Sequence, residues 1–406
     1  MLLVFCLSVR VLAEPFQASS FSDWKSRFAS KALAAGISQQ ILDDTLKDTQ
    51  LDPKVLELDS SQPEFSKPIW SYLDRATQTK RVKKGIGLIA QYQPLLAQIE
   101  QRYAVPKEII VAIWAMESEF GENYGHNNII RSLATLAYHG KRADFAESEL
   151  IAALNIYQQR EKQRLQTRLC YARGLNRELI GSWAGAMGQP QFMPSSYLER
   201  AVDHDRDGRK DLWHSLPDVF ASIANFLKQA GWNPGHDWGW EVSLAKDFDW
   251  SLNTAETQLT LEQWKTSGVT VMAAEPEHHD VLASLFIPAG KSGPVFLVTD
   301  NFDVIRQYNK SSSYALAVAQ LSRLFAGGKA IQAAWPRKDK PLSLKQKKEL
   351  QSLLLTAGFD AGKIDGKIGK NTQRAIHAWQ MKQGLAGDGY ANLDVLKRLK
   401  MLDQKR

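Results

Sequence analysis

The stretch "AIWAMESEFGENYG", residues 112–125, ends an almost wholly apolar run with three carboxylates, Glu117, Glu119 and Glu122. A carboxylic acid held against apolar side chains keeps its proton to higher pH, and an acid still neutral near pH 7 can protonate a leaving oxygen. "VPKEIIVAIWAMESEFG" reads as one helix of about 14 residues, with Pro106 in the first turn, Glu108 complementing the dipole and Gly121 just past the end. On such a helix Ile110, Ile113 and Trp114 precede Glu117 by seven, four and three residues and share its face. That spacing favours Glu117 as a general acid. Ala112, Ala115 and Met116 give Glu119 a partly apolar face as well, so periodicity alone leaves both open.

Two further clusters carry chemistry. "GSWAGAMGQPQFMPSSYLERAVD", residues 181–203, combines small residues that admit a ligand to the backbone with the neutral groups of Ser182, Gln189, Gln191, Ser195 and Ser196. Trp183 and Phe192 stand among them, and aromatic faces beside neutral donors and acceptors suit sugar rings. "DHDRDGRKDLWHSLPD", residues 203–218, begins like an EF-hand loop: Asp203, Asp205 and Asp207 at positions 1, 3 and 5, Gly208 at the sharp turn, Arg209 at position 7 and Asp211 at 9. Hard oxygen ligands at that spacing favour a structural calcium ion. Position 12 is His214 in place of the usual glutamate, and Arg206, Arg209 and Lys210 weaken cation affinity.

These clusters need long helices to hold them, and helical periodicity dominates from Phe21 to about Leu227 and resumes at "YALAVAQLSRLF". Between about Trp240 and Val298, shorter runs rich in β-branched residues and glycine predict a small sheet or extended insert. The Gly-, Pro- and Lys-rich stretch 327–343 reads as a linker. At the N-terminus an apolar segment from Leu2 to Val9, then Val11-Leu12-Ala13, predicts an export signal cleaved after residue 13; a lipid anchor at Cys6 is disfavoured by the bulk of Phe5. Cys170 is then alone and reads as structural. The net charge of +7 suits a polyanionic partner, but the basic residues are dispersed and no nucleic-acid signature appears. Away from the N-terminus no run approaches ~18 uninterrupted apolar residues.

The order "MESEFG", "GSWAGAMGQPQFMPSSY", "QYNKSSSYA" resembles the membrane-bound lytic transglycosylase B family, lysozyme-like enzymes that cleave bacterial peptidoglycan. The similarity runs from "DSSQPEFSKPIWSYL" to "AWPRKDKPLS", roughly 280 residues. It implies that the acid is Glu117, that Ser182 and Gln191 line the cleft beside it, and that Tyr308, Asn309 and Tyr314 form a tyrosine-rich wall. Lys141 and Arg142 fall where the family has a basic pair for muramyl or stem-peptide carboxylates, with Arg142 the closer match. Phe226 stands where a tyrosine is expected, which implies one cleft hydroxyl fewer. The family closes its metal loop with a later aspartate. Asp218 therefore joins Asp203, Asp205, Asp207 and Arg209 in the expected calcium set.

The last segment, with LQ, IDG, G, T, A, WQ and GL in order, resembles the peptidoglycan-binding domain common to cell-wall enzymes. The expected organisation is thus a signal at 1–13, a lysozyme-like α+β catalytic domain at 14–336 in a mainly α chain, a linker at 337–343 and a three-helix peptidoglycan-binding domain at 344–402. The implied activity is non-hydrolytic cleavage between N-acetylmuramic acid and N-acetylglucosamine, giving 1,6-anhydro ends in the periplasm without a cofactor. The implied partners are glycan strands and stem peptides, with proteins of wall synthesis or division, and the chain is expected to be a monomer. Two alternatives are a hydrolytic muramidase using a second carboxylate such as Asp144 or Glu147, and a catalytically silent wall-binding scaffold.

Overall fold

The computed structural model describes residues 20–60, 68–166, 179–272 and 280–404. The expected signal, Cys6, Cys170 and part of "DSSQPEFSKPIWSYL" lie outside these residues. The chain divides into two compact units, one built from 1–61, 126–186 and 193–195, the other from 62–125, 187–192 and 196–406.

In the first unit, helices Phe21–Ala34, Gln39–Thr45 and Pro53–Ser60 accompany the helix pair Ile129–His139 and Ala143–Gln166. Ser20 opens the first helix through a reciprocal capping box with Asp23. Trp24, Phe28, Leu133, Leu150 and Leu154 are buried on the inward faces. Asn127–Asn128 pairs antiparallel with Ile180–Gly181, so the strand residue Gly181 leads directly into "SWAGA".

In the second unit the helix Lys107–Ser118 packs against Ser312–Phe325, Leu216–Gln229 and Thr79–Gln91. Every residue from Ile109 to Ala115 is buried, so the helix is apolar on all sides and cannot be a surface element. It ends earlier than the sequence suggested. Glu119, not Gly121, is the left-handed C-cap, and Glu119, Phe120 and Gly121 have φ of 51°, 63° and 82° in succession. Two non-glycine residues in that region cost roughly 1–2 kcal/mol each. The turn is held by Phe120 N–H donating to Trp114 O, Gly121 N–H to Ser118 Oγ and Asn123 N–H to Ser118 O.

The expected insert is a five-stranded antiparallel sheet in the order Leu259–Thr260, Leu282–Phe286, Val295–Val298, Gly239–Leu244, Val269–Val271. Trp240, Val242, Trp264, Val295 and Leu297 form its core, and Trp264 Nε1 donates to Ala283 O. The segment after Phe325 is pinned rather than loose. The buried Glu241 accepts the amides of Gln332 and Ala333 at 2.8–3.1 Å, and Arg337 pairs with Asp74 at 2.7 Å. Beyond it, helices Leu344–Thr356, Lys370–Lys382 and Leu393–Asp403 enclose Leu350, Leu354, Ile376, Trp379 and Leu396. No described helix is long and apolar enough to cross a membrane.

Candidate active site

Glu117 sits in the last turn of its helix on the face shared with Ile110, Ile113 and Trp114, all buried. The residue keeps part of its surface open, yet its carboxyl is desolvated enough to raise its pKa to about 7. Burial is the dominant cause. The hydroxyl of Tyr314, which donates to Glu117 Oε1 at 2.6 Å, acts in the opposite direction by stabilising the anion. No cation pairs with Glu117 among the described residues. The other two glutamates are neutralised: Glu119 by Arg81, and Glu122 by Lys84 at 2.6 Å, which holds its carboxyl below the usual range. The alternatives left open by helical spacing are thus separated by charge pairing.

Tyr314 is fixed by the cap of helix Ser312–Phe325, where Ser311 Oγ accepts its backbone N–H. Tyr308 ends helix Asp300–Tyr308 and donates its hydroxyl to Pro190 O at 2.7 Å. Burial first, and then the nearby Glu117 charge, lift both phenols well above their ordinary pKa, so both remain hydrogen-bond donors. Asn309 is exposed, its Oδ1 accepting the amide of Ser311. Phe226 is buried under this wall with its ring 4.6 Å from Tyr308 and the Arg200 guanidinium 4.0 Å from its own centroid. Its missing hydroxyl leaves a packed apolar contact.

Several polar groups that the sequence suggested as ligand contacts serve the fold. Gln189 is buried; its Oε1 accepts from Trp114 Nε1 and its Nε2 donates to Trp213 O, both at 2.7 Å. A side chain on Gly121 would meet Gln189 Oε1 at 2.3 Å, which with its positive φ explains a glycine there. Phe192 is core, packed on Phe226 and Tyr308. Gln191, at φ 51°, donates its amide to Tyr124 O and Gly188 O, and its Oε1 accepts nothing among the described residues.

In the first unit, Ser182 Oγ accepts the amide of Ala186 and the two residues close a tight loop. Ser195 is held through its amide and hydroxyl by the buried Glu149, a carboxylate that sequence spacing did not single out. Trp183, Arg142 and the exposed Phe145 line a shallow surface depression with Asp59, Leu133 and Leu136. Arg142 lies over the Phe145 ring at 5.4 Å, and Lys141 is bound to Asp59. Asp144 is exposed, whereas Glu147 accepts from Trp24 Nε1 and pairs with Lys31.

In the Asp-rich loop, carboxylate oxygens of Asp203, Asp205 and Asp218 converge within 4.8 Å. Asp218 is fully buried, accepts the amides of His204 and Asp211 at 2.7 and 2.8 Å, and is raised to about 6, chiefly by burial. Asp203 Oδ1 is buried without a hydrogen-bond partner among the described residues. An orphaned carboxylate oxygen facing two more carboxylates fits a hard divalent cation. Three carboxylates of the expected set meet in this way; Asp207 falls outside the convergence, its Oδ1 accepting the Arg209 amide at 2.8 Å.

Residues 20–323 match the family model for the transglycosylase SLT domain. The chain belongs to that family. Residues 345–399 match the putative peptidoglycan binding domain. The membrane-bound lytic murein transglycosylase B of Escherichia coli is 31% identical over 301 residues, covering 72% of this chain and 79% of that protein. SltB3 from Pseudomonas aeruginosa, solved in complex with NAG-anhNAM-pentapeptide, is similar with a TM-score of 0.86 at 45% identity, covering 94% of this chain and 99% of that one. The Escherichia coli lytic transglycosylase Slt35 in complex with calcium gives 0.61 at 30% identity, covering 74% and 92%. The expected family, the lysozyme-like mainly helical fold and the transglycosylase activity all stand, and this SLT-domain chain is an enzyme.

Proposed function

We propose that this SLT-domain enzyme cleaves the glycosidic bond between N-acetylmuramic acid and N-acetylglucosamine without water, with Glu117 as acid and then base. The observation that carries this reading is the desolvated carboxylic acid of Glu117, raised to about 7 and held by the Tyr314 hydroxyl. Neutral Glu117 protonates the bridging oxygen, and the C–O bond breaks as the proton passes to the departing N-acetylglucosamine. The resulting positive charge at the muramyl anomeric carbon is stabilised by the substrate's own acetamido carbonyl, so no protein nucleophile is needed. The carboxylate then removes the proton from the muramyl 6-hydroxyl, whose oxygen closes the 1,6-anhydro ring. The usual hydrolytic arrangement requires a second carboxylate. Glu147 is unsuited to that role because it is bound by Trp24 and Lys31.

Mass spectrometry of digested peptidoglycan tests the reading: the main products should be anhydro-muropeptides, lighter by one water than hydrolytic products. A digest dominated by reducing-end muropeptides would sink it.

Ser182, Gln191 Oε1, Tyr308, Asn309 and Arg142 are assigned to substrate contacts, and the chain to the periplasm. Asp203, Asp205 and Asp218 are assigned to a structural calcium ion, which screens their mutual repulsion and takes no part in the chemistry. A cation held at 100 times its dissociation constant stabilises by about 2.7 kcal/mol. Chelation should therefore lower the melting temperature by roughly 5–10 °C, at about 2–4 °C per kcal/mol. The same loss is expected for Asp203→Asn, and chelator should have no further effect on that variant. A melting temperature indifferent to chelator and to added calcium would remove the assignment.

A further inference from the structure

The C-terminal module contains the same polar clamp twice. In the first copy the buried Gln351 donates to Asp365 Oδ1 at 3.2 Å, accepts the Gly366 amide at 2.8 Å, and Asp365 Oδ1 also takes the Lys367 amide at 2.8 Å. In the second the buried Gln380 donates to Asp388 Oδ1 at 2.7 Å, accepts the Gly389 amide at 2.9 Å, and Asp388 Oδ1 takes the Tyr390 amide at 3.0 Å. The glycines match as well, with φ of 78° and 66°. Each clamp spends Oδ1 on its own turn, and no hydrogen bond within the turn uses Oδ2.

The second copy shows what that free oxygen takes. Asp388 Oδ2 accepts the backbone N–H of Lys291 at 2.9 Å, from the loop between strands Leu282–Phe286 and Val295–Val298. The approach is close: a side chain on Gly290 would stand 2.9 Å from Tyr390 and 3.0 Å from Asp388 Oδ2. The contact is braced by Asn253 donating to Gly387 O and His377 meeting Trp250 O. The clamp is thus a receptor for a peptide N–H that follows a residue with little or no side chain.

The first copy is exposed, and Asp365 Oδ2 accepts nothing among the described residues. Around it stand exposed Lys363 and Lys367, with Ile364 47% and Leu344 61% exposed. Apolar surface, ammonium groups and one amide acceptor together match a short anionic peptide of small residues. We propose that the Asp365 turn is the module's binding site for the peptidoglycan stem peptide, and that Asp365 Oδ2 accepts a backbone amide of that peptide as Asp388 accepts Lys291. This rests on peptidoglycan being the substrate.

The test is pelleting of the full chain carrying Glu117→Gln with insoluble peptidoglycan, with and without Asp365→Asn. Asparagine keeps Oδ1 for Gln351 and Lys367 and removes the outward acceptor together with the charge, so the melting temperature should change little. Affinity should fall roughly 10–150-fold, the effect of one hydrogen bond to a charged acceptor. Asp388→Asn should leave pelleting unchanged, and on glycan stripped of peptides by an amidase Asp365→Asn should have no effect. Equal pelleting with and without Asp365→Asn overturns the Asp365 assignment, and a loss that persists on peptide-free glycan overturns the peptide as its ligand. A parent chain that fails to pellet at all overturns the substrate reading itself.

Discussion

Glu117→Gln is expected to reduce peptidoglycan cleavage by roughly 10²–10⁴-fold, the usual contribution of a general acid–base, while pelleting with peptidoglycan is retained. Glutamine is isosteric and still accepts the Tyr314 hydroxyl, so the loss reads proton transfer rather than collapse of the site. In the parent enzyme the acid must be protonated before the bond breaks. With its pKa raised to about 7, kcat/KM should fall as pH rises through neutrality. The same shift makes a prediction about stability. Because the folded pKa lies above the ordinary 4.5, the buried neutral acid favours the fold fully below pH 4.5, and that contribution is lost as pH rises through about 7. Above neutrality the fold carries an ionised, partly desolvated carboxylate at a cost of up to about 3 kcal/mol, less where water reaches it. Glu117→Gln should therefore raise the melting temperature at pH 8 and leave it nearly unchanged at pH 5. Thermal scans at the two pH values, beside a cleavage assay, check both halves. Retained cleavage, or a variant less stable at pH 8, would contradict the assignment.

How much of this was readable in the sequence differs from residue to residue. That Glu117 shares a face with Ile110, Ile113 and Trp114 followed from i, i+3 and i+4 spacing, because a helix imposes its period on whatever lies along it, but the same spacing left Glu119 open. What separated Glu117 from Glu119 was Arg81, 38 positions away from Glu119, and local spacing carries no record of such a partner. The helix end was misplaced for a related reason. Gly121 is an ordinary left-handed stop, but Ser118 and the carbonyl of Trp114 hold two non-glycine residues in that region before it. The neutral groups of "GSWAGAMGQPQFMPSSY" looked equivalent in one dimension. Folding commits Gln189 to Trp114 and Trp213 and Ser195 to Glu149, and leaves Gln191 Oε1 without a donor among the described residues. The three-helix module was the most legible part, since its turns depend on glutamine, aspartate and glycine close in sequence.

Tyr314→Phe is expected to shift the pH profile upward and slow the reaction together. The phenol donates to Glu117 Oε1 at 2.6 Å and stabilises the carboxylate; removing it leaves burial unopposed, so the Glu117 pKa must rise above 7. A hydrogen bond to a charged group contributes roughly 1.5–3 kcal/mol, equivalent to an upward displacement of about one to two pH units. In the proposed mechanism the carboxylate forms as the leaving oxygen takes the proton, so destabilising the anion by that amount should slow bond cleavage by roughly 10–150-fold. A merely structural role would alter rate without moving the pH limb. Phenylalanine keeps the buried ring, so the melting temperature at pH 5 should hold. Tyr308→Phe is the internal contrast: its hydroxyl donates to Pro190 O rather than to Glu117, so the limb should stay in place even if binding weakens. Profiles of kcat/KM for the parent and the two variants decide. An unmoved or lowered limb in Tyr314→Phe would show that this phenol does not set the proton affinity of the acid.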